Sequence, residues 1–281
     1  MYERIISAEQ ISEFGQWLRR EEHSTGTVEK YVRDVTAFAI WLDGVTVTKE
    51  AAVQWKEHLV ENGYAPVTVN SMVSALNSFF CFVGWADCRV KFLKVQRRLF
   101  REQAKELTES EYNRLLKTAR KMGKERLVLL METICASGIR VSELRYITVE
   151  AANRGRADIS LKGKIRTILL PDKLCKRLLK YARQQKIASG EIFLTRSGNS
   201  LGRKQIWAEM KKLCRQAGIA DTKVFPHNLR HLFARTFYKV CHDIAKLADV
   251  LGHSSIETTR IYLMSTGAEH AREINRLGLL C

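Results

Sequence analysis

In the stretch TVEKYVRDVTAFAIWL, apolar residues fall at Val28, Tyr31, Val32, Val35, Ala39 and Leu42. That three-and-four spacing gathers them on one face of a helix, with Ser24, Thr25 or Thr27 available as its N-cap. The period recurs in VTVNSMVSALNSFFCFV at Val69, Met72, Val73, Leu76, Phe80 and Val83. Together with ISEFGQWLRRE and KEAAVQWKEHLVEN, these segments predict a small all-helical unit over residues 1–96. The charged run KVQRRLFREQAKE lacks an apolar stripe and reads as a linker, placed at 97–106. A second unit, 107–281, opens at LTESEYNRLL, where Thr108 and Glu111 have capping-box spacing.

The second unit is helical with one interruption. ADISLKGKIRTILLP alternates Ala157, Ile159 and Leu161, passes a Lys-Gly-Lys turn and enters a second β-rich run, so it predicts a hairpin. Its tip carries Lys162 and Lys164, and its flanks carry Arg154, Arg156 and Arg166. The fold class is therefore mainly α: a helical bundle followed by a mainly helical domain with a small antiparallel sheet. In FPHNLRHLF, Pro226 suits the first helical position, since its φ is fixed and its missing N–H would have had no partner. A helix continued through Val240 puts Leu229, Leu232, Phe233, Thr236 and Val240 on a core face. His227, Arg230, His231 and Ala234 fall on the opposite one, and His227 and Arg230 lie near a helix N-terminus that favours an anion. CASGIRVSEL predicts one helix ending at Ser137 and Gly138 and another starting near Arg140. In LADVLGHSSIETTRIYLM, Gly252 ends a helix, and the capping-box spacing of Ser254 and Glu257 opens another that carries Tyr262.

Composition narrows the partner. The chain has 281 residues, 46% of them hydrophobic, and no apolar run approaches the length of a membrane span. MYERIISAEQ has neither a basic nor an apolar leader region, so a cytoplasmic protein without a membrane partner is expected. Seven cysteines, an odd number with no C-x-x-C pair, read as reduced side chains rather than a disulfide framework or a zinc site. Forty-seven Lys and Arg against 30 Asp and Glu give a net charge of +17, the footprint of a polyanion binder. The first hundred residues are balanced at 12 and 12, whereas residues 154–215 hold 17 basic and 4 acidic side chains. The excess points to phosphate contacts from the second unit. Arg154, Arg156, Arg166, Arg203 and Lys204 are candidates there, with Thr27, Lys30 and Arg33 in the first unit.

The set GIRVSEL, HNLRH and LGHSSIETTRIY, in this order, resembles the tyrosine recombinase family, also called phage-type integrases, over nearly the whole chain. Arg140 matches the family's first arginine, His227 and Arg230 its H-x-x-R box, and His253 and Tyr262 its closing pattern. The resemblance implies a site-specific recombinase in which Tyr262 attacks a DNA phosphate to form a 3′-phosphotyrosyl link, with no metal, ATP or other cofactor. It implies Arg140 and Arg230 on the phosphate oxygens, His227 as general base, His253 as hydrogen-bond donor and Glu143 as a supporting carboxylate. The family's lysine acid lies on the hairpin: Lys162 fills it in the Lys-Gly reading, and Lys164 in a shifted alignment. His231 has no task in this scheme and reads as structural.

The first unit resembles the family's core-binding domain, although APVTVNSMVSALNSFF lacks the arginines often seen in that helix. The size suits a minimal, Xer-like enzyme. Double-stranded DNA is the implied partner, as is a homo-tetramer on paired sites. A monomer when free, and an accessory DNA-bending protein or a partner recombinase, are compatible with the pattern. The tail GAEHAREINRLGLLC offers Ile274, Leu277 and Leu279 or Leu280 for docking on a neighbour. Two other readings are a non-catalytic DNA-binding factor and a type IB topoisomerase. The first conflicts with the presence of Arg140, His227, Arg230, His253 and Tyr262 together, and the second with the closing pattern and the docking-type tail.

Overall fold

The computed structural model describes residues 4–95, 105–161, 164–263, 272 and 275–277. Lys162, the side chain of Lys164, most of the expected linker and the tail positions Ile274, Leu279 and Leu280 lie outside the described residues. The chain divides into two compact units, Met1–Arg97 and Arg98–Cys281. No helix among the described residues is long and apolar enough to cross a membrane.

Four helices build the first unit: α1 (Ala8–Arg20), α2 (Thr25–Leu42), α3 (Lys49–Glu61) and α4 (Pro66–Phe82). Each starts where the chain supplies a cap: Ser7, Ser24 and Thr48 accept backbone N–H bonds, and Pro66 opens α4. Their apolar faces meet in an aromatic core in which Phe14 meets Phe79 edge-on at 5.4 Å and Phe38 meets Phe80 edge-on at 6.1 Å. Two amides on α4 then direct the outgoing chain. Asn77 bonds both the N–H and the C=O of Val90, at 2.8 and 2.9 Å, and Asn70 does the same to Leu93, at 2.7 and 2.9 Å. Seven residues apart, the two amides lie on one side of α4 and replace the ladder that a neighbouring strand would have provided.

The second unit runs α5 (Glu109–Lys121), α6 (Glu125–Ser137), a 3₁₀ segment Val141–Tyr146, α7 (Val149–Arg154), β1 (Arg156–Leu161), β2 (Lys164–Leu169), α8 (Asp172–Gln184), α9 (Arg203–Ala217), α10 (Pro226–Cys241), α11 (Ile244–Leu251) and α12 (Ile256–Leu263). The capping box of Thr108 and Glu111 starts α5 as its spacing indicates. Leu127, Val128, Leu129, Leu130, Met131 and Ile134 are all buried on α6, a helix apolar on most of its circumference. It can be buried that way because α5, α8, α9 and α10 pack around it. β1 and β2 pair antiparallel, Arg156 opposite Leu169 and Leu161 opposite Lys164. Ala157, Ile159 and Ile168 face the core, whereas Ile165 and Leu169 face out.

Three local expectations change. α10 does not separate into an apolar inner face and a polar outer face. Thr236 and Val240 are exposed, the latter at 78%, whereas Arg230 and Ala234 are buried. α10 packs on α6 and also on α11 and α12, which cover the face expected to be open, while its last turn projects beyond the core. The segment after Arg140 is 3₁₀ rather than α, with Arg140 as its N-cap. Ser255 rather than Ser254 starts α12, accepting from the Glu257 N–H at 3.2 Å.

Replacing Asn77 by Leu strands the N–H and C=O of Val90 in an apolar setting, at a cost of about 2–4 kcal/mol. Four of the five tryptophans (Trp17, Trp41, Trp55 and Trp85, but not Trp207) lie in the first unit, so tryptophan fluorescence follows its unfolding. A lower urea midpoint for Asn77→Leu is the expected result; an unchanged one would mean that the amide bridge contributes nothing to stability.

Candidate active site

The site forms where two helices end. α6 stops at Gly138 in the left-handed region (φ +63°), and a Cβ there would fall 2.5 Å from the Phe233 ring, so both backbone and packing require glycine. Two residues on, the Arg140 N–H donates to Glu143 Oε2 at 2.8 Å and its Nη1 to Oε1 at 3.0 Å. Arg166, on β2, closes on the same carboxylate at 2.5 Å. Burial of Glu143, 2% exposed, would raise its pKa. The Arg140 N–H and the Arg166 and Arg140 guanidiniums outweigh that and hold it below the usual carboxylate range. Glu143 is therefore an anion that fixes two cations.

α11 ends at Gly252 (φ +62°), where an added Cβ would lie 2.5 Å from Arg166. Its carbonyls, without partners inside the helix, point at guanidiniums. Leu251 O accepts from Arg166 and, at 2.7 Å, from Arg230 Nη2; Gly252 O accepts from Arg140 Nη2 at 3.3 Å. Arg230 is 2% exposed and also donates through Nη1 to Gly138 O, which ties the ends of α6 and α11 together. Burial first, and the Arg140 charge next, lower its pKa to about 10, so it stays a cation at neutral pH.

His253 follows directly. Its Nε2 lies 3.0 Å from Arg230 Nη2 and its Nδ1 2.9 Å from Thr259 Oγ1. A guanidinium only donates, so Nε2 is the acceptor and the ring proton sits on Nδ1, facing Thr259. Burial, then Arg230, Arg140 and Arg166, lower its pKa to about 4. His227, exposed in the first turn of α10, is lowered in the same way by desolvation and then by Arg230 and Arg140.

Tyr262, on α12, is 5% exposed. Its ring centroid lies 4.3 Å from that of His231, 5.5 Å from that of His253 and 5.8 Å from that of His227. Its phenol lies near enough to the Arg230 side chain to favour that cation. An oxygen nucleophile beside three buried or half-buried guanidiniums, with two neutral imidazoles at hand, suits attack on a phosphodiester. Among the described residues no group of three or more His, Cys, Asp or Glu could hold a metal ion.

The structure thus brings Arg140, Glu143, His227, Arg230, His253 and Tyr262 together. Arg166, expected as a phosphate contact on the hairpin flank, instead turns inward to Glu143 and Leu251. In the first unit Lys30 and Arg33 both pair with the buried Asp34, at 2.5 and 3.0 Å, and the Thr27 hydroxyl bonds that of Ser24 at 2.8 Å. Arg154, Arg156, Arg203 and Lys204 are exposed, with Arg156 4.0 Å from Asp158. The sequence reading missed Thr259, whose position three residues before Tyr262 places it on the same face of α12. It also missed the carbonyls of Gly138, Leu251 and Gly252, for which only the two glycines gave a sign.

Residues 105–269 match the phage integrase family, and residues 11–87 match the phage integrase N-terminal SAM-like domain. The tyrosine recombinase XerA of Pyrococcus furiosus is 31% identical, over 100% of this chain and 98% of the relative. Two solved structures share the fold at low identity. The XerH site-specific recombinase bound to its difH substrate has a TM-score of 0.68 at 17% identity, covering 96% of this chain and 90% of that one. A lambda integrase dimer bound to a COC′ core site has a TM-score of 0.72 at 16% identity, covering 91% and 94%.

The depressed pKa values of His253 and His227 fix a sign for the pH dependence of stability. Between about 6.5 and about 4 the unfolded chain binds a proton at His253 that the folded chain refuses, so stability is full above that window and falls as pH drops through it. Melting temperatures taken from pH 7 to pH 4 should decline less steeply for His253→Gln than for the native chain; equal slopes would show that His253 does not carry the effect.

Proposed function

The chain belongs to the phage integrase family and is a tyrosine site-specific recombinase that cuts and rejoins DNA, and we propose that Tyr262 is its nucleophile. The observation that carries this reading is the placing of the buried Tyr262 ring against His231, His227 and His253, beside the buried Arg230 and in a cluster of cations whose charge an entering phosphate would offset. The Tyr262 oxygen attacks the scissile phosphorus, the bond to the 5′-oxygen breaks, and a 3′-phosphotyrosyl link and a 5′-hydroxyl result. Rejoining reverses the step: a 5′-hydroxyl attacks the link and Tyr262 leaves. The phosphate bond energy is kept in the enzyme link throughout.

Arg140 and Arg230 neutralise the two non-bridging oxygens, on which negative charge grows as the nucleophile enters. Glu143 and the α11 carbonyls hold these guanidiniums before the substrate arrives, so little reorganisation is needed during reaction. Neutral His227 takes the phenolic proton, and His253 donates to a phosphate oxygen. Lys162, or Lys164 in the shifted alignment, protonates the leaving 5′-oxygen. Arg154, Arg156, Arg203 and Lys204 contact the DNA backbone, with Thr27, Lys30 and Arg33 contributing from the residue 1–96 core-binding domain. The catalytic domain spans 107–281 after a linker at 97–106. A homo-tetramer on two DNA sites, assembled through the C-terminal tail in the cytoplasm, completes the reading.

A nicked suicide substrate incubated without metal or ATP should trap a covalent protein–DNA band with the native chain and none with Tyr262→Phe. If Tyr262→Phe gives the same band, another residue is the nucleophile. The same assay separates the lysines. A 5′-bridging sulfur is a leaving group that needs no acid, so it should restore cleavage by whichever of Lys162→Ala and Lys164→Ala has lost the acid. Failure to restore either variant would assign the acid elsewhere.

A further inference from the structure

Over the described part of α12, Ile256–Leu263, only Thr259 and Tyr262 are buried. Ile256 and Ile261 are 48% and 55% exposed, so they contribute little to docking it. Thr259 ties the helix to His253, and Tyr262 ties it to α10. The tie to α10 runs through His231, one residue beyond Arg230. Its ring lies 4.3 Å from the Tyr262 ring at 36°, nearer than His227 or His253, and the His227 ring meets it edge-on at 4.6 Å. His253 lies near-parallel to the Tyr262 ring at 29° and 5.5 Å. Rotation of a phenol about its side-chain bonds moves its oxygen by several ångströms, so a neighbouring flat ring at van der Waals contact governs where that oxygen points.

We propose that His231 is a positioning residue for the reaction: it acts as a flat ring that holds the Tyr262 side chain, and with it α12, against α10 with the phenol directed at Arg230. The proposal rests on the reading of Tyr262 as nucleophile and gives a role to a residue that the catalytic scheme leaves without one. His231 moves no proton in this role; what it supplies is area and planarity. Holding the nucleophile within its own chain's site follows from the same contact, because the ring pair joins α12 to the helix that carries His227 and Arg230.

The test compares His231→Phe, which keeps a flat ring and removes both nitrogens, with His231→Gln, which keeps hydrogen bonding and removes the ring. Single-turnover formation of the covalent band is measured on the suicide substrate across pH 6–9, with DNA affinity measured in parallel. The expected result is a Phe variant within about threefold of the native rate with the native pH profile, and a Gln variant slowed about tenfold or more at unchanged DNA affinity. A slow Phe variant, whatever Gln does, overturns the proposal, because it would make a nitrogen necessary. A Gln variant at the native rate overturns it too, because the ring would then be dispensable. Covalent trapping by Tyr262→Phe would instead sink the underlying nucleophile assignment, and it is scored separately in the same gel.

Discussion

The last turn of α11 is the constraint on which the site depends. Its Leu251 and Gly252 carbonyls have no acceptor role left inside the helix, and three guanidiniums, Arg140, Arg166 and Arg230, converge on them. The C-terminal end of a helix is electrically negative, so it can hold cations without supplying a full negative charge. A second carboxylate in place of those carbonyls would hold the arginines equally well and would also repel a phosphate. Carbonyls avoid that conflict. Glu143 contributes a formal charge, and it binds Arg140 and Arg166 while Arg230 is held by Gly138 O and Leu251 O. The cluster keeps a surplus of positive charge, which adds to burial in lowering the pKa of Arg230 and of the two adjacent histidines. An anion entering there would relieve that surplus, which is the physical content of a preorganised phosphate site.

Most of the side chains that meet at the site were legible in the sequence because their spacing is short and their residue types are unusual together. HNLRH places a histidine and an arginine one turn apart on any helix, and the pattern GIRVSEL sets Glu143 three residues from Arg140 however the segment coils. The environment of those side chains was less legible. A helical wheel assumes one core face per helix; α10 has two, since α6 covers one side and α11 and α12 another. Arg230 is consequently buried where the wheel left it in solvent, and Val240 is exposed where the wheel buried it. Backbone carbonyls cause a second kind of blindness. Nothing in a residue's identity says that its carbonyl will be a ligand, and only Gly138 and Gly252, both at positive φ, hinted that two chain ends would approach something closely.

Arg166 shows the same limit from the other side. On the hairpin it alternates with Ile165 and Thr167, and the alternation alone does not say which face looks at the site. Pairing with β1 sends Ile165 and Leu169 outward and turns Arg166 and Ile168 inward, so a residue that composition would count among the DNA-facing cations becomes internal support. In the first unit the buried Asp34 engages Lys30 and Arg33, yet the Arg33 side chain stays 73% exposed, so an ion pair and an open face coexist there. Charge counts measure how many cations a chain has. They do not separate those that face a ligand from those that hold other side chains in place.

The position of the His253 proton joins the electrostatics to the chemistry. With Arg230 donating to Nε2, the free site has its imidazole proton on Nδ1, directed at Thr259. In the role assigned to it, His253 donates from Nε2 to a phosphate oxygen, so the proton must lie on the other nitrogen, or both nitrogens must carry one. Thr259 makes the first alternative accessible without moving a heavy atom, because a hydroxyl that accepts from Nδ1 can rotate and donate to it. A phosphate makes the second alternative less costly, because its negative charge offsets the arginines that, together with burial, hold the pKa near 4. Either way, the acceptor that Arg230 now uses is withdrawn as the substrate enters. The guanidinium then has an N–H free for the phosphate at the moment His253 acquires one, and the two donors become available together.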